Sequence, residues 1–226
     1  MDVKYKDGSK ITDEQITGLL IALLFAGQHT SCISSTWTSL FIAKDPRVLK
    51  KVIDEQNQVL GDRAKSGSLE FDDVNQMEYL QHCMREALRL CPPLILLMRR
   101  VIKDLNVTVD NKKYTIPKGD TVMVSPSVGM RLPDVFKDPE TFEPERYEEG
   151  REEHKIPYAY LGFGGGMHSC MGQNFGFLQV KTILSVLFRE YNIELLAEKF
   201  PECDYKAMVV GPHGDCRVKY EKRTVI

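Results

Sequence analysis

The residues best equipped for chemistry lie in one stretch, FGGGMHSCMG, which holds Phe163, Gly166, His168, Cys170 and Gly172. Its glycines let backbone run close to a large flat ligand and adopt angles closed to other residues. The pattern puts Cys170 at the start of a helix expected from about Met171 to Arg189. Unpaired amides and the helix dipole there favour a thiolate over a thiol. A thiolate suits an oxygen-activating haem, because its electron donation favours O–O cleavage. The motif predicts that Cys170 ligates haem iron and that His168 donates to a propionate. Two plainer readings stay open. One is a Gly-rich loop with a buried cysteine and a surface histidine. The other is a His-x-Cys metal site, although no further ligands cluster nearby.

Glu86 and Arg89, in MREALRL, share a helix face at i,i+3. Taken alone they read as an exposed and weak ion pair. AGQHTS, Ala26 to Ser31, interrupts an apolar helix face with polar residues. It suits a groove over a flat cofactor, with Thr30 donating to bound oxygen and His29 in a proton path. The alternative is a helix kink in which Thr30 bonds its own backbone.

Thr12 with Gln15 reads as a capping box opening a long helix to about Ala43, with Leu19, Leu23, Ala26 and Thr30 on one face. Asp45 and Pro46 end it and start another, to about Leu60. A polar loop spans 61–72. A strong helix is expected from about Asn75 to Leu90, stopped by Pro92 and Pro93. Strands are expected at Leu105–Asp110, Tyr114–Ile116 and Thr121–Val124, with Asn111 and the lysines as the turn between the first two. From Ser125 to Tyr160 the chain reads as irregular, a length that usually serves function. Met208–Val210 and Cys216–Tyr220, around GPHGD, read as a β-hairpin.

The 226 residues carry 30 Lys and Arg against 32 Asp and Glu, a net charge of −2. That balance argues against nucleic acid as a partner. The six cysteines form no C-x-x-C pair, and all but Cys170 read as small buried hydrophobes. The polar start, MDVKYKDGSK, predicts neither signal peptide nor membrane anchor. The longest apolar stretch, Ile16 to Gly27, falls short of a span.

The cysteine loop, the E-x-x-R helix and the AGQHTS helix, in this order, resemble the cytochrome P450 superfamily. PERY, Pro144 to Tyr147, looks like the superfamily's P-E-R-F segment. The resemblance implies that Arg146 joins Glu86 and Arg89 in a buried triad that locks the core, in place of a surface pair. His29 before Thr30, together with FKDPETFEPERY and MVVGPHGDCRVKYEKR, is similar to sterol 14α-demethylases, the plant obtusifoliol type especially.

The resemblance implies a mainly α fold with small antiparallel β-sheets, the C-terminal part of the P450 architecture, with residues 1–226 as the haem-binding part of a single domain. It implies haem b with Cys170 as axial thiolate, and propionate contacts from His168 and Arg99. Phe163 and Gly166 belong to the same cofactor-binding loop. Thr30 and His29 are implied as catalytic, and Ala26, Leu94, Leu96, Met98, Met208 and Val209 as substrate-lining. Ordinary core packing is the alternative for the lining positions. The implied reaction removes a sterol 14α-methyl group in three oxygenations, with formate as co-product and electrons from NADPH-cytochrome P450 reductase. The implied location is the cytosolic face of the endoplasmic reticulum membrane, through an anchor missing from this chain, as are the lid helices. Met167 and Ser169 depart from the family, which often has basic or otherwise polar residues flanking the histidine.

Overall fold

Local signals set most helix ends. In the computed structural model, which describes residues 4–65, 68–151 and 153–223, α1 spans Asp13–Lys44. Thr12 Oγ1 accepts from the Gln15 amide at 3.2 Å, and Gln15 Oε1 accepts from the Thr12 amide at 3.0 Å. Asp45 ends α1 and caps α2 (Pro46–Leu60), its Oδ1 accepting from the amides of Arg47 and Val48.

The single helix expected from about Asn75 is two. α3 (Phe71–Gln76) and α4 (Glu78–Leu90) are divided at Met77, whose ψ of 77° is not helical. Two tertiary interactions account for the break. Met77 is fully buried. Glu55 of α2 accepts from the Tyr79 amide at 2.5 Å and the Leu80 amide at 3.0 Å, so a distant carboxylate caps α4.

The sheets are small, two-stranded and antiparallel. β1 (Leu97–Arg100), which the sequence pattern does not announce, pairs with β4 (Thr121–Val124). β2 (Leu105–Val109) and β3 (Lys112–Ile116) form a hairpin. Its turn is Asp110–Asn111, with φ of 48° and 61°, so Lys112 and Lys113 belong to the strand and not to the turn. α5 is one turn, Pro126–Gly129, and α6 runs Gln173–Glu190. β5 (Tyr191–Leu195) pairs with β8 (Val218–Lys222), and β6 (Glu202–Cys203) with β7 (Pro212–His213). The expected tail hairpin is therefore wrong. Each of its arms finds a partner elsewhere: the Val210 amide donates to the Pro93 carbonyl at 2.8 Å, and 218–222 lies on β5.

The architecture is mainly α with small antiparallel sheets. Ile42, Val48, Val52, Leu80, Met84, Leu184 and Phe188 knit α1, α2, α4 and α6 together. A second cluster joins Trp37, Leu40, Phe41, Ala87, Leu90 and Cys91, with Phe142 stacked on Phe41 at 4.6 Å. Only the last third of α1 enters the core. Leu19, Leu20, Leu23, Leu24 and Phe25 stand exposed, Phe25 at 74%. By length and composition α1 is apolar enough to cross a membrane, which the shorter uninterrupted run Ile16–Gly27 does not suggest. The same test is passed by core helices, and the buried Trp37–Ile42 end marks α1 as one over that length. Cys83 and Cys91 are buried and Cys203 and Cys216 partly so, whereas Cys32, expected inside, is exposed.

Candidate functional site

The cysteine loop is closed by its own backbone. The Cys170 amide donates to the Phe163 carbonyl at 2.8 Å, and Gly164 and Gly166 take φ of 73° and 66°, in the left-handed region that glycine favours. The Phe163 ring packs on Phe177 of α6 at 4.9 Å. The rear of the loop is tight: a Cβ on Gly165 would meet Leu161 and Tyr158 at 3.3 Å. Its front is open, with His168, Cys170, Met167 and Met171 all exposed. α6 begins at Gln173 with Gly172 as its cap, so Cys170 precedes the helix and does not open it as expected. The loop backbone, more than the first helical turn, fixes the thiol. An exposed sulfur on a glycine-lined, closely backed loop fits a thiolate donor to a broad planar cofactor. Among the described residues no three metal-ligating side chains cluster, so the alternative of a conventional multi-ligand metal site finds no support there.

Glu86, Arg89 and Arg146 meet at 0% exposure, which replaces the surface-pair reading. Glu86 accepts from Arg89 Nε at 2.8 Å and Arg89 Nη2 at 2.9 Å, and from Arg146 Nε at 2.9 Å. The Glu143 amide and the Tyr147 hydroxyl also donate to it, at 3.0 and 3.2 Å. These two partners were missed in the sequence, although Tyr147 stands inside PERY. Burial pushes the Tyr147 hydroxyl pKa well up, so it stays protonated and donates. The guanidiniums also donate to carbonyls, Arg89 to those of Met130, Pro139 and Thr141 and Arg146 to those of Lys137 and Asp138, and Arg146 Nη1 reaches the Glu153 carboxylate at 3.3 Å. Irregular chain with no ladder partners is thus tied to α4 by charged hydrogen bonds. Met130 Sδ in turn receives the Leu161 amide, and the Tyr160 hydroxyl donates to the Arg85 carbonyl. The path from triad to cysteine loop is continuous.

On α1 the Thr30 hydroxyl donates to the Ala26 carbonyl at 2.8 Å, the back-bonded alternative, and His29 is exposed. Ile33, one turn on, packs within 3.6 Å of where a Gly211 Cβ would sit. With the Val210–Pro93 bond, this contact joins three segments carrying Ala26 and Thr30, Leu94, Leu96 and Met98, and Met208 and Val209. Leu94, Leu96, Met98 and Met208 are exposed and Val209 half-buried, so ordinary core packing does not explain the first four. Arg99 lies on β1, exposed, with Nη1 on the Met98 carbonyl at 2.7 Å.

The cytochrome P450 family model matches residues 1–219, and the chain belongs to that family. It is 47% identical to a sterol 14-demethylase of Arabidopsis thaliana, over 99% of this chain and 46% of the relative. It is 43% identical to an obtusifoliol 14-alpha demethylase of Triticum aestivum, over 100% and 50%. It is 38% identical to a human lanosterol 14-alpha demethylase, over 99% and 43%. The chain spans about half the length of the curated relatives it matches.

Proposed function

We propose that this chain is the C-terminal, haem-binding part of a single-domain sterol 14α-demethylase. The observation that carries the chemistry is Cys170, exposed on a glycine-rich loop that its own amide closes on the Phe163 carbonyl. The sterol assignment rests on likeness to three demethylases along nearly the whole chain. Haem b would be held by the Cys170 thiolate within the loop of Phe163 and Gly166, with His168 and Arg99 on its propionates. When bound, the haem supplies the oxidising chemistry, fed by electrons from NADPH-cytochrome P450 reductase. The chain's residues supply placement. Thr30 and His29 pass protons toward the reacting oxygen, Thr30 after releasing Ala26. Ala26, Leu94, Leu96, Met98, Met208 and Val209 line an apolar seat for the sterol. Glu86, Arg89 and Arg146 hold the loop. The location is the cytosolic face of the endoplasmic reticulum membrane.

The exposed apolar half of α1 favours a second statement: residues 1–226 by themselves do not turn over sterol. A helix apolar on several sides expects neighbours, and an apolar patch of this kind marks a missing contact. The test compares this chain alone with the chain joined to an upstream half like that of its relatives. The joined protein should show a substrate-type spectral shift and turnover with obtusifoliol or lanosterol. No shift and no turnover with any 14α-methyl sterol would give the site to another lipophilic substrate.

A further inference from the structure

Met130 caps the one-turn helix α5 and touches both the buried triad and the segment that enters the cysteine loop. Its side chain is fully enclosed. On the triad side its backbone is firmly held. Its amide donates to the Pro126 carbonyl at 2.9 Å, and its carbonyl accepts from Arg89 Nη1 at 3.0 Å. Glu86 takes Arg89 Nε and Nη2, so the guanidinium presents Nη1 to Met130 in a fixed orientation. On the loop side the contact is of another kind: Sδ accepts from the Leu161 amide at 3.2 Å. A thioether is a weak acceptor, yet among the described residues no backbone carbonyl takes that amide.

Leu161 is the residue that carries the rear of the loop. Its carbonyl accepts from the Gly164 amide at 3.0 Å, and its Cδ2 stands 3.3 Å from where a Gly165 Cβ would lie. Two residues on, the Phe163 carbonyl takes the Cys170 amide at 2.8 Å. A shift of Leu161 therefore reaches Gly164, Gly165 and, through Phe163, the residue that bears the thiol. Its neighbour Tyr160 is tied separately, by its hydroxyl on the Arg85 carbonyl of α4 at 3.2 Å. That bond fixes the chain from one side of α4, and the Met130 sulfur fixes it from the side of Arg89.

We propose that Met130 is a positioning residue for the Cys170 sulfur, its thioether serving as the strut through which the triad sets the height of the loop. This rests on the reading of Cys170 as the haem ligand. Met130 touches neither cofactor nor substrate in that arrangement. It acts through Leu161, by keeping the sulfur at its ligating place. A loop that drifts carries the sulfur away, and a thiolate without its metal regains a proton near neutral pH. The acceptor is separable from the packing. Met130→Leu keeps an apolar side chain of similar volume and removes the acceptor. Met130→Asn restores one, because Oδ1 stands at the position along the side chain that Sδ holds.

The test reads the loop and the ligand separately. In the upstream-joined protein, Met130→Leu should speed deuterium exchange of the Leu161 and Cys170 amides about 5- to 10-fold, the effect of one lost hydrogen bond. Amides inside α6 and the urea midpoint should stay near those of the parent. With haem bound, the thiolate-type absorption seen with carbon monoxide after reduction should decay about 5-fold faster in the variant. Met130→Asn should return both rates most of the way. A packing role would not allow that recovery, since asparagine is the smaller side chain. Unchanged exchange at 161 and 170, or faster exchange with an unchanged decay, overturns the proposal. So does a failure of Met130→Asn to recover, or a collapse of the urea midpoint in Met130→Leu. A parent without any thiolate-type band would sink the ligand reading instead, and exchange at the Cys170 amide would then decide alone whether Met130 holds the loop.

Discussion

Arg146 Nε donates to Glu86 Oε1 at 2.9 Å across 60 residues of sequence, with neither side chain reached by solvent. Without Arg146, Glu86 keeps only Arg89 and a fully buried site is emptied, and breaking such a buried pair costs about 3–5 kcal/mol. Arg146→Ala should therefore lose most of the protein's stability, measured as urea midpoint and soluble yield. Arg146→Lys should recover only part, because one ammonium cannot reach Glu86 and the Lys137 and Asp138 carbonyls together. Equal stability of Arg146→Ala and the parent would remove the triad from the account of the fold.

Cys170→Ser in the upstream-joined protein should abolish the thiolate-type absorption shift when carbon monoxide meets reduced haem. The substitution is nearly isosteric and the side chain is exposed, so the fold should survive. A retained thiolate-type spectrum would move the ligand to another residue.

Thr30→Val should keep the fold, since the lost bond is to the helix's own Ala26 carbonyl, and should lower product formed per NADPH consumed. A positioned proton donor contributes roughly 10²-fold or more to its step, so a several-fold fall in that ratio is expected. Thr30→Ser should retain most of it. An unchanged ratio in Thr30→Val takes the hydroxyl out of proton delivery.

Acid should weaken this fold in two windows. Burial, then the charges of Arg85 and His154, lower the His82 pKa to about 4. The unfolded chain then binds the proton first, so stability present above about pH 6.5 is lost as pH falls toward 4. Glu145, held at about 2 by hydrogen bonds from Lys51 and Tyr79 that outweigh burial, gives stability above about pH 4.5 that is lost below it. Glu55, raised by burial, opposes the second trend. His82→Gln should flatten the fall in unfolding free energy between pH 7 and 5, read from urea titrations, by about 1–2 kcal/mol, the figure discounted for partial exposure. An unaltered slope would show that His82 titrates alike in both states.

What the sequence makes legible is what short-range chemistry decides. Thr12 with Gln15 and Asp45 with Pro46 carry their partners within a turn, so the helix starts they set could be read directly. The glycines around Cys170 have few other uses, and the loop they form is where the motif puts it. Spacing alone gave Glu86 and Arg89 a common face but not their burial, which came into view only through the resemblance that brought in Arg146. The break at Met77 and the cap on α4 depend on Glu55, more than twenty residues upstream, and no local pattern announces it. The tail reads as a hairpin because its arms are adjacent, yet the first arm bonds Pro93 through Val210 and the second lies on β5, both distant in sequence. Thr30 sits where expected on α1, but its hydroxyl is spent on the backbone, an outcome spacing leaves open.

α1 is one uninterrupted rod of 32 residues with two environments, its Trp37–Ile42 end packed and its Leu19–Phe25 end bare. Amide hydrogens along it should therefore exchange with deuterium on a gradient, fast by fraying at one end and slow at the other. When the bare end gains neighbours, that gradient should level. The exchange rate around Leu23 then becomes a gauge of whether the bare end of α1 is covered, readable without any cofactor, substrate or turnover.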